Sequence, residues 1–311
     1  MPINVNKSGT WYESDQINVN DGGTWYEVDE AYANVGGTWQ EVFSSFEATS
    51  FVTLSSGSGT FVVPEKANAI HIQAAVGGGG GAAGGADYDK AGGESAGAGG
   101  GSGAFVSDQI YSVTEGETIS YSIGSGGAAG NQTSNFKQPR IASAGTNTTL
   151  SGSTTGAIFT LGAGGGSSGT GGGVQGPLRT NTAGTAGSAT INATPVSSGT
   201  FKDSDGTNKN VTSNTSGPVG SFNQSGNGAV GDISGSNNCG GDNCQIGGSD
   251  GGDSYAGNIS GGAGSPIGGG AGAAGTRGSG GGGGGAQYSG GSTDGGVGGN
   301  GEIIYRFLKV R

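Results

Sequence analysis

Five consecutive glycines, Gly77 to Gly81, follow directly on the alternating run Ile70-His71-Ile72-Gln73-Ala74-Ala75-Val76, and 77 of the 311 residues are glycine. Glycine gives up more chain entropy on ordering than any other residue and weakens helices and strands alike. Tracts such as GAGGGSSGTGGG (162–173) and GSGGGGGGAQYSGG (278–291) therefore leave three choices. They can be flexible linkers. They can form a collagen helix, which demands a strict Gly-X-Y period and abundant proline; the chain has 7 prolines and keeps no such period. Or they can form polyproline-II-type helices, with three residues per turn and no internal hydrogen bonds. Without Cβ atoms such helices can approach closely and pair each other's N–H and C=O groups, which must be satisfied once buried. With only 31% apolar residues, backbone pairing of this kind would stand in for the missing core.

Strand patterns flank the glycine. Residues 46–76 hold SFVTLSS, GTFVVPE and AIHIQAAV, residues 104–123 hold AFVSDQIYSV and ETISYSIG, and the chain ends on EIIYRFLKV (302–310). Between Gly124 and Gly301 no ordinary strand or helix is expected. A terminal strand needs neighbours, and the candidates all precede residue 124. The expected fold is mostly β with almost no α-helix: a small sheet pins a long insertion, in which a glycine-rich polyproline-II-type bundle and its loops fill 77–103 and 124–301. Polar and aromatic islands interrupt the tracts at 86–90, 131–140, 174–182, 201–214, 237–245, 253–255 and 286–289. Turns at the ends of packed rods are where large side chains fit.

Residues 1–45 form a separate unit of three 14-residue repeats: INVNKSGTWYESDQ, INVNDGGTWYEVDE and AYANVGGTWQEVF. An even period keeps Trp11, Trp25 and Trp39 on equivalent faces, and each unit reads as strand, glycine turn, strand. Units this short cannot bury a tryptophan alone, which marks the three tryptophans as assembly contacts; residues 46–311 form the glycine-rich domain. The formal charge of −11 is uneven: residues 1–47 carry eight acids and one base, Lys7, and the remainder fifteen acids and eleven bases. An acidic chain without a basic patch lacks the footprint of a nucleic-acid binder. No apolar run approaches a membrane span, and MPINVNKSGTW has neither the basic nor the apolar region of a signal peptide.

Catalytic signals are weak. His71, the single histidine, lies on a predicted strand with no acid partner nearby in sequence and reads as structural. Asp87/Asp89 and Asp250/Asp253 read as loop acids rather than a glycosidase pair. Gly-x-Gly-x-x-Gly strings arise by chance in such a chain and lack a strand–loop–helix setting with a Lys-Ser/Thr pair. Cys239 and Cys244 lack two further ligands for a metal site; they are one local disulfide or two free thiols. Asp203 to Asn208 (DSDGTN) reads as an Asx-turn, with a calcium loop as the alternative. No metal or cofactor is expected. The island aromatics Tyr88, Phe136, Phe201, Phe222, Tyr255 and Tyr288 either form a recognition surface or cap the ends of the glycine bundle.

GTFVVPEKANAIHIQAAVGGGGG, GETISYSIGSGGAAG (116–130) and the closing GGNGEIIYRF resemble the glycine-rich domains of bacteriophage tail-fibre adhesins and related tail proteins. The GGTWYEV units resemble the short Trp repeats of phage tail and fibre proteins. The resemblance implies a virion protein without enzymatic activity, exposed at a tail or fibre tip and released by lysis. Residues 1–45 would join other tail or fibre proteins, and variable loops on a polyglycine scaffold would bind a host surface glycan or outer-membrane protein. A homo-oligomer is compatible with this. A glycine-helix ice-binding protein and a self-assembling extracellular filament subunit are the alternatives.

Overall fold

The computed structural model describes residues 3–7, 10–14, 17–28, 30–83, 97–131, 140–169, 181–211, 245–246, 250–253, 260–265, 271–284, 286–287 and 294–311. Among these the ordered elements are strands, and none is a helix. The repeats form three antiparallel hairpins. Strand β1 (Ile3–Lys7) pairs with β2 (Thr10–Ser14), β3 (Ile17–Asp21) with β4 (Thr24–Val28), and β5 (Glu30–Val35) with β6 (Thr38–Ser44). Each hairpin is a sheet of its own.

Further strands are β7 (Val52–Leu54), β8 (Ser58–Val62), β9 (Ala69–Val76), β10 (Phe105–Ser112), β11 (Thr118–Ser122), β12 (Arg140–Ile141), β13 (Thr148–Gly152), β14 (Gly156–Leu161), β15 (Ser168–Gly169), β16 (Asn181–Thr182), β17 (Ala189–Ile191), β18 (Thr200–Lys202), β19 (Asn208–Asn210), β20 (Gln245–Ile246), β21 (Ala286–Gln287) and β22 (Glu302–Leu308). Two sheets pack face to face, a four-stranded one ordered β10-β9-β22-β7 and a five-stranded one ordered β17-β14-β13-β11-β8. The C-terminal strand pairs with β9 and β7, as its need for early neighbours requires. The second sheet corrects the sequence reading. Strands β13, β14 and β17 lie inside the interval expected to hold none, because TTLSG and GAIFTL bring Leu150, Ile158, Phe159 and Leu161 to one shared core. Alternation decides the faces: Ile70 and Ile72 of β9, Ile119 of β11 and Ile303 of β22 are fully buried between the sheets. The Phe61 and Tyr305 rings stack at 4.5 Å. Each such aliphatic side chain contributes roughly 1.5–3 kcal/mol on burial. Ala69 and Leu308, whose side chains leave the opposite face, meet Phe201 and Val211 in a second cluster.

The glycine-rich segments continue from the open end of this sandwich. The N–H groups of Gly77 to Ala83 donate to three neighbours in rotation, returning to each after three residues. Gly77, Gly80 and Ala83 donate to Ala104, Gly101 and Ala98; Gly78 and Gly81 to Thr146 and Ser143; Gly79 and Ala82 to Gly299 and Gly296, all at 2.7–3.1 Å. Their carbonyls accept from three more segments: Gly78 and Gly81 from Gly164 and Ser167, Gly79 and Ala82 from Gly127 and Gly130, Gly80 and Ala83 from Gly281 and Gly284, at 2.8–3.1 Å. Falling partner numbers mark three antiparallel neighbours and rising numbers three parallel ones. The six also bond to one another in a closed ring, through Gly101–Gly165, Gly145–Gly164, Ser143–Ala128, Gly298–Gly127, Gly296–Gly282 and Gly100–Gly281. Segment 278–284 is a second centre, bonded to 77–83, 97–104, 250–253, 260–265, 271–276 and 294–301. The described part of the array is therefore a hexagonal packing of extended segments held by backbone hydrogen bonds.

At most glycines of the array this spacing leaves no room for a Cβ, while a few buried alanines and serines, among them Ala82, Ala83 and Ser167, fit where the lattice opens. A Cβ on Gly80 would stand 2.5 Å from the carbonyl carbon of Gly165 and 3.0 Å from the Gly164 oxygen; these are backbone atoms and cannot swing aside. Gly80→Ala is expected to cost about 3 kcal/mol or more, the upper range for overpacking. At Gly116, φ is 73° and a Cβ would meet nothing within 4 Å, so Gly116→Ala is expected to cost only about 1 kcal/mol of left-handed strain. Denaturant midpoints of the two variants test the contrast.

Candidate functional site

Three features stand out on this frame: the far end of the glycine array, the tryptophan hairpins, and a polar cluster on the outer face of the four-stranded sheet. At the array's far end Ala83, Ala98 and Gly284 meet, since Ala83 N–H donates to Ala98 C=O and Gly284 N–H to Ala83 C=O. The buried Ser167 hydroxyl accepts from Ala83 N–H at 2.8 Å and donates to Ala98 C=O at 2.6 Å. Two small sheets, β12-β15-β16 and β20-β21, join flanking residues there. At this end lie the last described residues 83, 131, 169 and 284 of their segments and the first described residues 97, 140, 181 and 294 of the segments that follow. The sandwich occupies the opposite end, where Gly77, Gly103, Gly124 and Gly301 adjoin Val76 and Thr148.

The hairpins owe their shape to their turns. Gly22 and Gly23 have φ of 60° and 90°, and Gly36 and Gly37 have 61° and 88°, the two-residue type I′ geometry that asparagine and glycine favour. Asn20 Oδ1 accepts from Gly23 N–H at 3.1 Å, and Asn34 Oδ1 from Gly37 N–H at 3.0 Å. Directly across from these asparagines stand Trp25 and Trp39, each 69% exposed. Val19 and Tyr32 are exposed as well. Trp11 holds the equivalent register on β2, opposite Asn6.

The polar cluster corrects the isolation expected of His71. Strand pairing brings Asp108 of β10 beside it, and His71 Nε2 donates to Asp108 Oδ1 at 2.8 Å. The tautomer follows from the other nitrogen: Arg306 Nε donates to His71 Nδ1 at 3.2 Å, so Nδ1 accepts and the ring is neutral. Asp108 carries a φ of 51° opposite the bulge that sets Gln73 out of register with β22; aspartate tolerates this left-handed region better than most residues. Arg306 is buried, donates to Asp203 Oδ1 at 2.5 Å, and lies over the Phe51 ring at 4.5 Å and the Phe201 ring at 5.5 Å. Burial lowers the His71 pKa and outweighs the raising effect of Asp108. Burial opposes ionisation of Asp203, yet the Ser204 amide and the Arg306 guanidinium together hold its carboxyl below the usual value. The cluster thus clamps the β18–β19 hairpin to the sheet. Sequence alone could not find Asp108 or Arg306 as partners of His71, because their registers are set across glycine-rich excursions.

Sequence-selected residues fall in different places. Phe201, expected among the surface aromatics or the caps of the glycine bundle, is 6% exposed and packs in the second cluster against Ala69 and Leu308 of the four-stranded sheet. Tyr88, Phe136, Phe222, Tyr255, Tyr288, Cys239 and Cys244 lie outside the described residues, as does the Asp87/Asp89 pair. Asp250 Oδ1 and Asp253 Oδ1 accept from Gly264 and Gly261 N–H at 2.7 and 2.8 Å; these acids tie the array rather than face each other. Asp203 to Thr207 is the turn between β18 and β19, with Asn208 the first residue of β19, and in it Asp205 Oδ1 accepts from the Thr207 amide at 2.9 Å and its hydroxyl at 2.5 Å. Among the described residues no group of three or more His, Cys, Asp or Glu side chains is placed to hold a metal ion.

A β-sandwich extended by backbone-bonded glycine segments defines the class of this domain. The chain belongs to the family of glycine-rich domains, whose model matches residues 53–308, a span that begins beyond the third hairpin. No curated protein matches the chain.

The sign of the His71 effect fixes a pH window. A histidine whose folded pKa lies below its unfolded value of about 6.5 takes up its proton more readily when unfolded. Its contribution is therefore complete above that value and is lost as pH falls below it. Stability should decline between pH 7 and pH 5, and His71→Phe should flatten the decline; thermal melts at both pH values read it.

Proposed function

We propose that the chain is an attachment protein of an assembled particle, a phage tail-fibre or receptor-binding adhesin acting without catalysis. In this reading the glycine segments are polyproline-II-type helices, which the return of every hydrogen-bond partner after three residues supports. Seven residues of such a helix span about 22 Å. The observation that carries the reading is the common far end: the described flanks of the islands holding Tyr88, Phe136 and Tyr288 all leave a rigid lattice on the side away from the sandwich. Glycine segments have no side chains with which to tell ligands apart, whereas connections on a rigid scaffold can vary without unfolding it. The hairpins of residues 1–45 lie on a different part of the chain and would join the carrier particle. Small exposed residues recurring every third position, Ser125, Ala128 and Asn131, support an ice-binding alternative.

Tyr88→Ala and Tyr288→Ala are each expected to weaken binding to host cells by about 1–2 kcal/mol, with an unchanged folded spectrum. Tyr255→Ala, whose described flanks Asp253 and Ser260 lie toward the sandwich end, is expected to bind as the parent does. Equal binding by all three variants overturns the proposal, and thermal hysteresis in ice without cell binding favours the alternative. Deleting residues 1–43 is expected to abolish incorporation into the particle.

A further inference from the structure

We propose that the tryptophan hairpins dock on a cationic protein surface; the inference rests on the assembly reading of residues 1–45 and names the chemistry of the partner. An isolated two-stranded hairpin is marginal in water, and these leave large apolar side chains uncovered: Val19 and Tyr32 at 51%, Trp25 and Trp39 at 69%. The equal exposure of the two tryptophans follows from a repeated construction, with the same asparagine lock, glycine pair and cross-strand register. A chain that presents one aromatic face repeatedly suits a partner with repeated contacts, where linked sites gain avidity without any new type of contact.

Charge selects the partner. Residues 1–47 carry eight acids against Lys7 alone, and the remaining residues carry fifteen acids against eleven bases. A second copy of the chain therefore offers another acidic module or a further net-negative domain, and like charges oppose that pairing. A lysine- or arginine-bearing surface meets both features, with Coulomb attraction to the module and cation–π contact on the exposed indole faces.

The three tryptophans of the chain all lie in the hairpins, so the intrinsic indole emission of the intact protein reports on this surface alone. Titration with poly-lysine is expected to give a saturable emission change that weakens as salt rises to molar levels, by screening. The Trp25→Ala/Trp39→Ala double variant, read through Trp11, should bind poly-lysine about tenfold more weakly or worse, as for truncated interface anchors. Attraction to the acids alone would leave the double variant at parental affinity, and that result overturns the proposal. So does an emission change produced by concentrating the protein by itself, which assigns the surface to a second copy, or one produced by a neutral oligosaccharide. If the 1–43 deletion blocks incorporation while poly-lysine leaves the emission unmoved, the assembly reading stands and the cationic partner fails; if the deletion incorporates normally, the assembly reading itself fails.

Discussion

Everything in the larger domain depends on a hydrogen bond from the amide of one glycine segment to the carbonyl of the next. In a sheet these bonds lie in one plane and side chains fill the space above and below. Around residues 77–83 they point in six directions, and at the glycines from Gly77 to Gly81 neighbouring backbone fills the space a Cβ would need. Each such bond contributes about 0.5–1.5 kcal/mol net, whereas a buried group left without a partner costs about 1–3 kcal/mol. An array built this way is cooperative by necessity, since removing one segment strands the donors and acceptors of its neighbours.

Glycine alone supplies that proximity and also has the largest chain entropy to lose. The sandwich offsets the loss. Strands β9, β10, β11, β13, β14 and β22 deliver the ends of the central segments at fixed spacing, so that Gly77, Gly103, Gly124, Gly162 and Gly301 begin or end beside one another. The aliphatic core between the two sheets, with Ile70, Ile119, Leu150, Leu161 and Ile303 fully buried, anchors the array. Glu117 ties the β10–β11 turn to the β13–β14 turn by accepting from the amides of Thr114, Thr154 and Thr155 at 2.7–3.0 Å.

Much of this was legible in the sequence. Alternation exposed β9, β10, β11 and β22, the apolar C-terminal run demanded early partners, and the period of 14 located the hairpins. Strands β13 and β14 were obscured because TTLSG and GAIFTL are short and set among Gly145, Gly152, Gly156 and Gly162, so no window of alternation is long enough to separate them from their surroundings. The island aromatics looked alike in composition, yet Phe201 sits on a hairpin that folds back onto β22 and is buried there, which depends on the distant Arg306 and Leu308. Asp108 was invisible as a partner for His71 because cross-strand neighbours are fixed by register, which a glycine tract does not encode locally.

Register is also where the array's few polar side chains matter. A lattice of bare backbone is translationally degenerate: a segment moved along its axis by three residues meets equivalent donors and acceptors and re-forms its bonds. The side-chain bonds break this degeneracy as keys fix a shaft. Thr148 Oγ1 links Gly124 N–H to Val76 C=O at the sandwich end, Ser167 Oγ links Ala83 to Ala98 at the far end, and Asn147 and Asn300 hold Ala163 and Gly126 between them. These hydroxyls and amides cannot follow a sliding segment. Folding of the array is thereby a search over a ladder of near-equivalent alignments, with a handful of serine, threonine and asparagine side chains choosing the rung.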